Sequence, residues 1–207
     1  SILDPLTDLQ INILGNFNCL EILRTLKSPA KYIFASTNKV YGDLSHIPLL
    51  EESLRYRFEE NIRGISEEYP VDLYSPYGCS KGSADFYTKD FCRIYGVNTT
   101  VVRQSCIYGE YQYGIEDQGW LAWFAIAARH KKRISVFGDG KQVRDVLYCD
   151  DLLDLYDAII EKNEISMGET YNAGGGLTNS ISLLELLEFL KETKYIDKII
   201  ISGIKGP

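Results

Sequence analysis

Only two histidines, His46 and His130, occur in 207 residues, and that scarcity removes whole classes of chemistry. A Ser-His-Asp or Cys-His nucleophile needs a placed imidazole as its base. A zinc cluster needs several His or Cys ligands at short spacing, and the five cysteines (Cys19, Cys79, Cys92, Cys106, Cys149) include no C-x-x-C pair. No metal is expected, and the cysteines read as the reduced thiols of a cytoplasmic protein. Cys19 and Cys79 fall on predicted helices as core filler; both histidines read as solvated. The longest uninterrupted apolar run, Trp120 to Ala128, is about half of the roughly 18 to 20 residues a membrane span needs, so no membrane is expected as a partner. Formal net charge is −7, with Lys and Arg scattered rather than striped. The chain therefore lacks the basic field that nucleic acid binding requires. Its start at Ser1 carries neither Met nor a charged-then-apolar leader, and it reads as a piece of something longer.

What is present suits a globular protein, with 45% hydrophobic and 25% charged residues. From Thr7 to Lys27, Ile13, Leu14, Phe17, Leu20, Leu23 and Leu26 recur at three and four, which predicts an amphipathic helix. Lys31 to Ser36 predicts a short buried strand. Tyr41 to Tyr74, polar and punctuated by Gly42, Pro48, Gly64 and Pro70, predicts loops with short turns. Ser75 to Tyr95 predicts a helix, Pro76 suiting its first turn and Gly96 its C-terminal cap. Asn98 to Gln104 is β-branched and predicts the next strand. This alternation predicts an α/β fold, a partial doubly wound parallel sheet over residues 1–109. Ligands of such sheets lie past the carboxyl ends of the strands, here Ala35 to Tyr41 and Gln104 to Gly109. Beyond Gly109 the pattern predicts a helix at Trp120 to His130, a strand at Ile134 to Phe137, a turn at Gly138 to Gly140 and a strand around Asp145 to Leu147. A helix at Asp151 to Glu161, a strand at Thr170 to Asn172, a turn at Gly174 to Gly176, a helix at Ser182 to Lys191 and a last strand at Lys198 to Ser202 follow. Residues 110–207 thus read as a smaller α+β part, some of whose segments return to the first sheet.

Tyr77 and Lys81 form a Y-x-x-x-K pair on a predicted helix, which puts phenol and ammonium on one face. A phenol is a poor base at neutral pH, and a neighbouring cation stabilises its phenolate, so the pair can act as a proton-transfer catalyst. With 15 tyrosines and 13 lysines in the chain, roughly one such spacing arises by chance; alone it reads more readily as a surface aromatic beside a solvated lysine. Context adds to it. The strand KYIFAS runs into Thr37-Asn38-Lys39-Val40-Tyr41-Gly42, so a hydroxyl lies just past a strand's carboxyl end.

Strand, hydroxyl cluster, loop, Ser75-Pro76-Tyr77-Gly78-x-Ser80-Lys81 helix and strand together resemble the extended short-chain dehydrogenase/reductase family, the nucleotide-sugar epimerases and dehydratases. The resemblance runs over nearly the whole chain. Asn12 to Glu21 is similar to the family's N-V-x-G-T-x-N-x-L-E helix. Val102 to Gly109 looks like its R-x-x-N-V-Y-G segment, with Cys106 where Asn is usual. Gly138 to Val146 resembles its G-x-G-x-Q-x-R-D-x block, and Tyr171 to Gly176 its strand-then-glycine turn, for which a plain turn is an equal reading. The implied fold is Rossmann-like and the implied cofactor NAD, met by Asn12, Ser36, Tyr77, Lys81 and Ser105. The implied substrate is a nucleotide sugar, met by Asn38, Lys39, Cys106, Gln118 and Arg144, with the Arg144 guanidinium fork on the diphosphate. Thr37 takes the role of orienting the sugar hydroxyl, Tyr77 that of base, and Lys81 that of pKa modifier and ribose contact. A homo-oligomer formed through helices like Thr7 to Lys27 and Ser75 to Tyr95 is also implied.

Dehydratases of this family carry Asp-Glu after the catalytic Thr; Asn38 and Lys39 stand there instead, which disfavours dehydration. Asp117-Gln118-Gly119-Trp120 with Gly140-Lys141-Gln142-Val143-Arg144-Asp145 looks like the branch that epimerises CDP-sugars at C2. A UDP-hexose 4-epimerase, another oxidoreductase of the family, and a non-catalytic binding module remain as alternatives. The family's glycine-rich phosphate-binding turn is absent from this sequence, so its first strands are expected to be missing.

Overall fold

The alternation of β-branched strands with two long helical stretches shapes the first half of the chain. The computed structural model describes residues 1–59, 62–116 and 118–193, and the backbone of 200–205. The elements in chain order are α1 (Pro5–Asp8), α2 (Asn16–Thr25), β1 (Tyr32–Thr37), β2 (Leu49–Glu51), β3 (Tyr56–Phe58), α3 (Ser75–Tyr95), β4 (Thr99–Gln104) and β5 (Cys106–Tyr108). They continue as α4 (Trp120–Arg129), β6 (Arg133–Phe137), β7 (Val143–Tyr148), α5 (Cys149–Glu161), α6 (Asn163–Ser166), β8 (Thr170–Ala173), β9 (Ser180–Ser182), α7 (Leu183–Glu192) and β10 (Ile200–Lys205). Two compact units result. One comprises Ser1–Ser45, Ile65–Ser105 and Leu152–Ala173; the other comprises His46–Gly64, Cys106–Asp151 and Gly174–Pro207.

The first unit is built on a Rossmann-like parallel sheet ordered β1-β4-β8. β4 is buried from Thr99 to Arg103, as expected of a central parallel strand covered on both faces. Helix α3 packs over it: Ala84 joins Phe34 and Val101 in one apolar cluster, while Phe91 joins Leu20 and Val97 in another. Pro76 opens α3, and Gly96 closes it with a left-handed φ of 68° and an N–H donated to the Cys92 carbonyl at 2.9 Å, a conformation glycine adopts without Cβ strain. The predicted helix from Thr7 to Lys27 is helical from Pro5 to Thr25, but Leu9–Gly15 is wound as a π-helix, a form that occurs mostly as single-turn bulges. It stops short of Lys27, whose φ of 48° is left-handed.

In the second unit, β5-β7-β9 form one sheet, β6 and β10 pair in parallel, and β2 and β3 form a hairpin. Phe124, Ala127, Ala128, Ile134, Val136, Leu186, Leu187 and Leu190 make its core. Ser182 and Glu185 start α7 with a reciprocal capping box. The hairpin corrects the expectation of loops alone between Tyr41 and Tyr74. Its strands are three residues each, too short for a period-2 pattern to show, and tertiary bonds hold it: Tyr56 N–H donates to the Lys141 carbonyl (3.0 Å) and Tyr56 Oη to Asp139 (2.5 Å). The expected last strand at Lys198 to Ser202 is found as Ile200–Lys205, its first two residues lying outside the described set.

Candidate active site

Strand β1 ends at Thr37, whose buried hydroxyl accepts the Lys39 N–H at 3.3 Å and caps the tight turn Asn38–Tyr41. The first turn of α3 lies against that turn, since a Cβ added at Gly78 would stand 3.5 Å from the Lys39 carbonyl oxygen. Tyr77, on this first turn, is 39% exposed, so its phenol is reachable. One turn on, the Lys81 ammonium donates to the Ala35 carbonyl of β1 and stands 4.4 Å over the Phe34 ring. Burial pushes the Lys81 pKa below the usual lysine value, opposed by the charge of Asp85. An ammonium has three donors, so the Ala35 carbonyl leaves donors for a second partner.

The other expected residues of this unit are placed as follows. Asn12 donates its amide to Ser80 Oγ at 2.9 Å, and Ser80 Oγ donates to the Tyr77 carbonyl at 2.9 Å, so Asn12 braces the turn that carries the phenol. Ser105, just past the end of β4, gives its N–H to the Ala173 carbonyl at 2.8 Å; its buried hydroxyl has no hydrogen-bond partner among the described residues. A buried hydroxyl left over in this way suits a ligand contact. The Ser36 hydroxyl is buried and donates to Asp85 Oδ2 at 2.9 Å, which leaves its lone pairs as acceptors.

Sequence reading missed the network around Asp85. Arg103 gives Nε to Asp85 Oδ2 at 2.8 Å and Nη2 to Oδ1 at 3.3 Å, both side chains almost fully buried. Its Nη1 donates to Tyr41 Oη at 2.9 Å, and Tyr41 Oη donates to Asn172 Oδ1 at 2.8 Å. Burial opposes the Arg103 charge, yet hydrogen bonds and attraction from Asp85, then Tyr41, raise its pKa above the usual arginine value. One signal was available: Tyr77, Lys81, Asp85 and Thr88 follow at four, four and three, so an acid stands on the face that sinks into the core.

In the second unit, Cys106 begins β5, half-buried and paired in register with Val146. Gln118 is exposed and exchanges two backbone hydrogen bonds with Ile115 (2.9 and 3.0 Å). Asp117 lies outside the described residues. Gly119, at φ 70°, leads into α4, where Trp120 meets Phe124 edge-to-face at 5.8 Å. Arg144, half-buried on β7, donates Nη1 to the Val143 carbonyl at 2.9 Å, and no carboxylate pairs with it among the described residues. Asp145 instead accepts the Gly175 N–H at 2.6 Å; burial raises its pKa, against the Gly175 and Gly176 amides that lower it. A Cβ at Gly174 would stand 2.0 Å from Asp145 Oδ2, and one at Gly175 would stand 1.9 Å from the Val146 carbonyl oxygen. The glycine turn is therefore a close-packing requirement.

The model of the NAD dependent epimerase/dehydratase family matches residues 1–174. The chain belongs to that family. Among curated relatives in it, CDP-paratose 2-epimerase of Salmonella typhi is 42% identical over 202 residues, 95% of this chain and 60% of the relative. A putative UDP-glucose 4-epimerase of Methanocaldococcus jannaschii is 32% identical over 193 residues, 92% of this chain and 55% of the relative. Among solved structures, UDP-glucose 4-epimerase of Thermotoga maritima with UDP-glucose superposes with a TM-score of 0.79 at 28% identity, over 99% of this chain and 60% of that one. The chain thus spans 60% or less of the length of these relatives. Among the described residues, no helix of this epimerase/dehydratase chain is long and apolar enough to cross a membrane, and no group of His, Cys, Asp and Glu is arranged to hold a metal ion.

Proposed function

We propose that this chain carries the proton-transfer site of an NAD-dependent nucleotide-sugar epimerase acting on a CDP-sugar at C2, CDP-paratose to CDP-tyvelose. The observation that carries the reading is the Tyr77–Lys81 pair on α3, with the Lys81 ammonium seated on the Ala35 carbonyl two residues before Thr37. Tyr77, as phenolate, takes the proton of the C2 hydroxyl and later returns it. Lys81 stands one turn on from Tyr77 along the same helix and brings a positive charge to that face. Thr37 orients the sugar oxygen. NAD, when bound, supplies the group that accepts and returns a hydride. Lys81, Tyr77 and Ser105 have the polar atoms to hold it, and the unpartnered Ser105 hydroxyl fits such a contact. Asn12 acts on the site through Ser80.

In the second unit, Arg144, Gln118 and Cys106 would meet the nucleotide sugar, with Arg144 on its diphosphate. Asn38 and Lys39 follow Thr37 in place of a carboxylate pair, which supports epimerisation over loss of water. The 42% identity to a CDP-paratose 2-epimerase favours the CDP-sugar. The UDP-glucose 4-epimerase relatives favour a second reading, in which the same Thr, Tyr and Lys act at C4 of a UDP-hexose. Full-length protein incubated with NAD and either CDP-paratose or UDP-glucose, with products assigned by NMR, separates the two. Inversion at C2 of the CDP-sugar alone is expected; turnover of UDP-glucose alone would establish the second reading. A homo-oligomer belongs to the same proposal: Leu14, Phe86, Tyr87 and Ile94 are exposed, and a monomer in sedimentation would remove it.

A further inference from the structure

We propose that Ser36, Asp85, Arg103 and Tyr41 form a positioning clamp that fixes Thr37 against the helix carrying Tyr77. The inference rests on the catalytic reading above and extends it to four residues that touch no reacting atom. Ser36 and Arg103 are register partners on the parallel strands β1 and β4, and both reach Asp85 on α3. A single oxygen, Oδ2, accepts Ser36 Oγ at 2.9 Å and Arg103 Nε at 2.8 Å. One carboxylate therefore ties two strand ends to the helix one turn below Lys81. The Lys81 bond to the Ala35 carbonyl adds a tie one residue before Ser36.

The other arm holds the far side of Thr37. Arg103 Nη1 donates to Tyr41 Oη at 2.9 Å, and Tyr41 closes the Asn38–Tyr41 turn that Thr37 caps. Tyr41 Oη donates to Asn172 Oδ1 at 2.8 Å, and Asn172 is the register partner of Arg103 on β8. Asn172 is held in turn by its N–H on Glu67 (2.7 Å) and its amide on the Ile65 carbonyl (2.8 Å). Thr37 is thus bracketed by Ser36 and Tyr41, both bonded into one network with α3. Charged, forked and buried hydrogen bonds of this kind permit few alternative geometries. A site that moves a proton between a sugar oxygen and a phenol depends on such placement, because an error of about 1 Å costs on the order of a hundredfold in rate.

The test uses full-length protein, the CDP-sugar epimerisation assay and two deletions of single oxygens, Ser36→Ala and Tyr41→Phe, with Tyr77→Phe alongside. Each clamp variant is expected to lower kcat about tenfold while KM stays within about twofold and the thermal midpoint falls by only about 2–6 °C, leaving the protein folded at the assay temperature, since the substrate contacts and the Asp85–Arg103 pair remain. Asp85→Asn is expected to lower kcat further; should it fail to fold, the two oxygen deletions decide. Parent-level kcat in both of them, with Tyr77→Phe inactive, overturns the clamp and leaves the catalytic reading standing. So does a loss of kcat matched by unfolding at the assay temperature, which marks a structural role. Full activity in Tyr77→Phe overturns the catalytic reading, and the clamp with it.

Discussion

Arg103→Met removes one half of a buried ion pair and leaves the other half in place. Arg103 and Asp85 are 6% and 2% exposed by side chain, 2.8 Å apart at the closest atoms, so after the substitution the Asp85 carboxylate keeps the Ser36 hydrogen bond and the attraction of Lys81 but loses its paired counterion. Breaking a buried pair from one side costs about 3–5 kcal/mol, because a charge stays buried without its counterion. At roughly 2–4 °C per kcal/mol for a protein of this size, the transition of the first unit should fall by about 6–20 °C. The double variant Asp85→Leu with Arg103→Met removes both charges and leaves only the Ser36 and Tyr41 hydroxyls to find new partners, about 1 kcal/mol each. It is expected to be more stable than Arg103→Met alone, a coupling that a double-mutant cycle reads directly. Urea and thermal unfolding of parent, singles and double measure it. A midpoint for Arg103→Met within about 2 °C of the parent, or a double variant weaker than either single, would refute the reasoning.

Gly175→Ala forces a Cβ to within 1.9 Å of the Val146 carbonyl oxygen and 2.7 Å of Asn179 Cβ; overpacking of this kind costs about 1–3 kcal/mol, whereas Gly64→Ala, with open space around its Cβ, should be near neutral, and calorimetry of the two compares them. The bond to Asp139 pushes the Tyr56 phenol up to about 12 from 10.0, and the same bond holds Asp139 below 3.8. The contribution of Tyr56 is therefore complete below pH 10 and lost as pH climbs to about 12, and that of Asp139 is complete above pH 3.8 and lost as pH falls below it. Difference absorbance of tyrosinate between parent and Tyr56→Phe should show the missing phenol ionising near pH 12; an ionisation near pH 10 would deny the bond in solution. Thr37→Val keeps the shape and removes the hydroxyl, so initial-rate assays should find turnover lowered by about tenfold to a hundredfold.

Helix α3 was legible in the sequence to its last residue, because Pro76 and Gly96 punctuate it and the apolar positions between them keep a helical period. The Tyr77–Lys81 pair was legible for the same reason: its spacing is local. The β2–β3 hairpin was not, since its two short strands are fixed by bonds to Asp139 and Lys141, more than eighty residues away. Nor was the path of α3 into the core. Asp85 and Arg103 look like surface charges in a sequence, and only the register of β1 on β4 brings Ser36 and Arg103 to one carboxylate. That register also explains why the Ser36 hydroxyl bonds to the helix. The glycine turn at Gly174 to Gly176 was visible as a turn, while its reason, the Asp145 carboxylate packed beneath it, is a tertiary fact.

The measurement that bears most directly on the central claim is the turnover of Tyr77→Phe in the full-length protein, followed by NMR of CDP-paratose and its C2 epimer. Tyr77 is half-exposed at the start of α3, so loss of its oxygen should leave the thermal midpoint and far-UV signal unchanged. With the phenol as the proton-transfer group, kcat should fall by about 10²–10⁴-fold. A variant that folds like the parent and turns over at the parent rate would contradict the account.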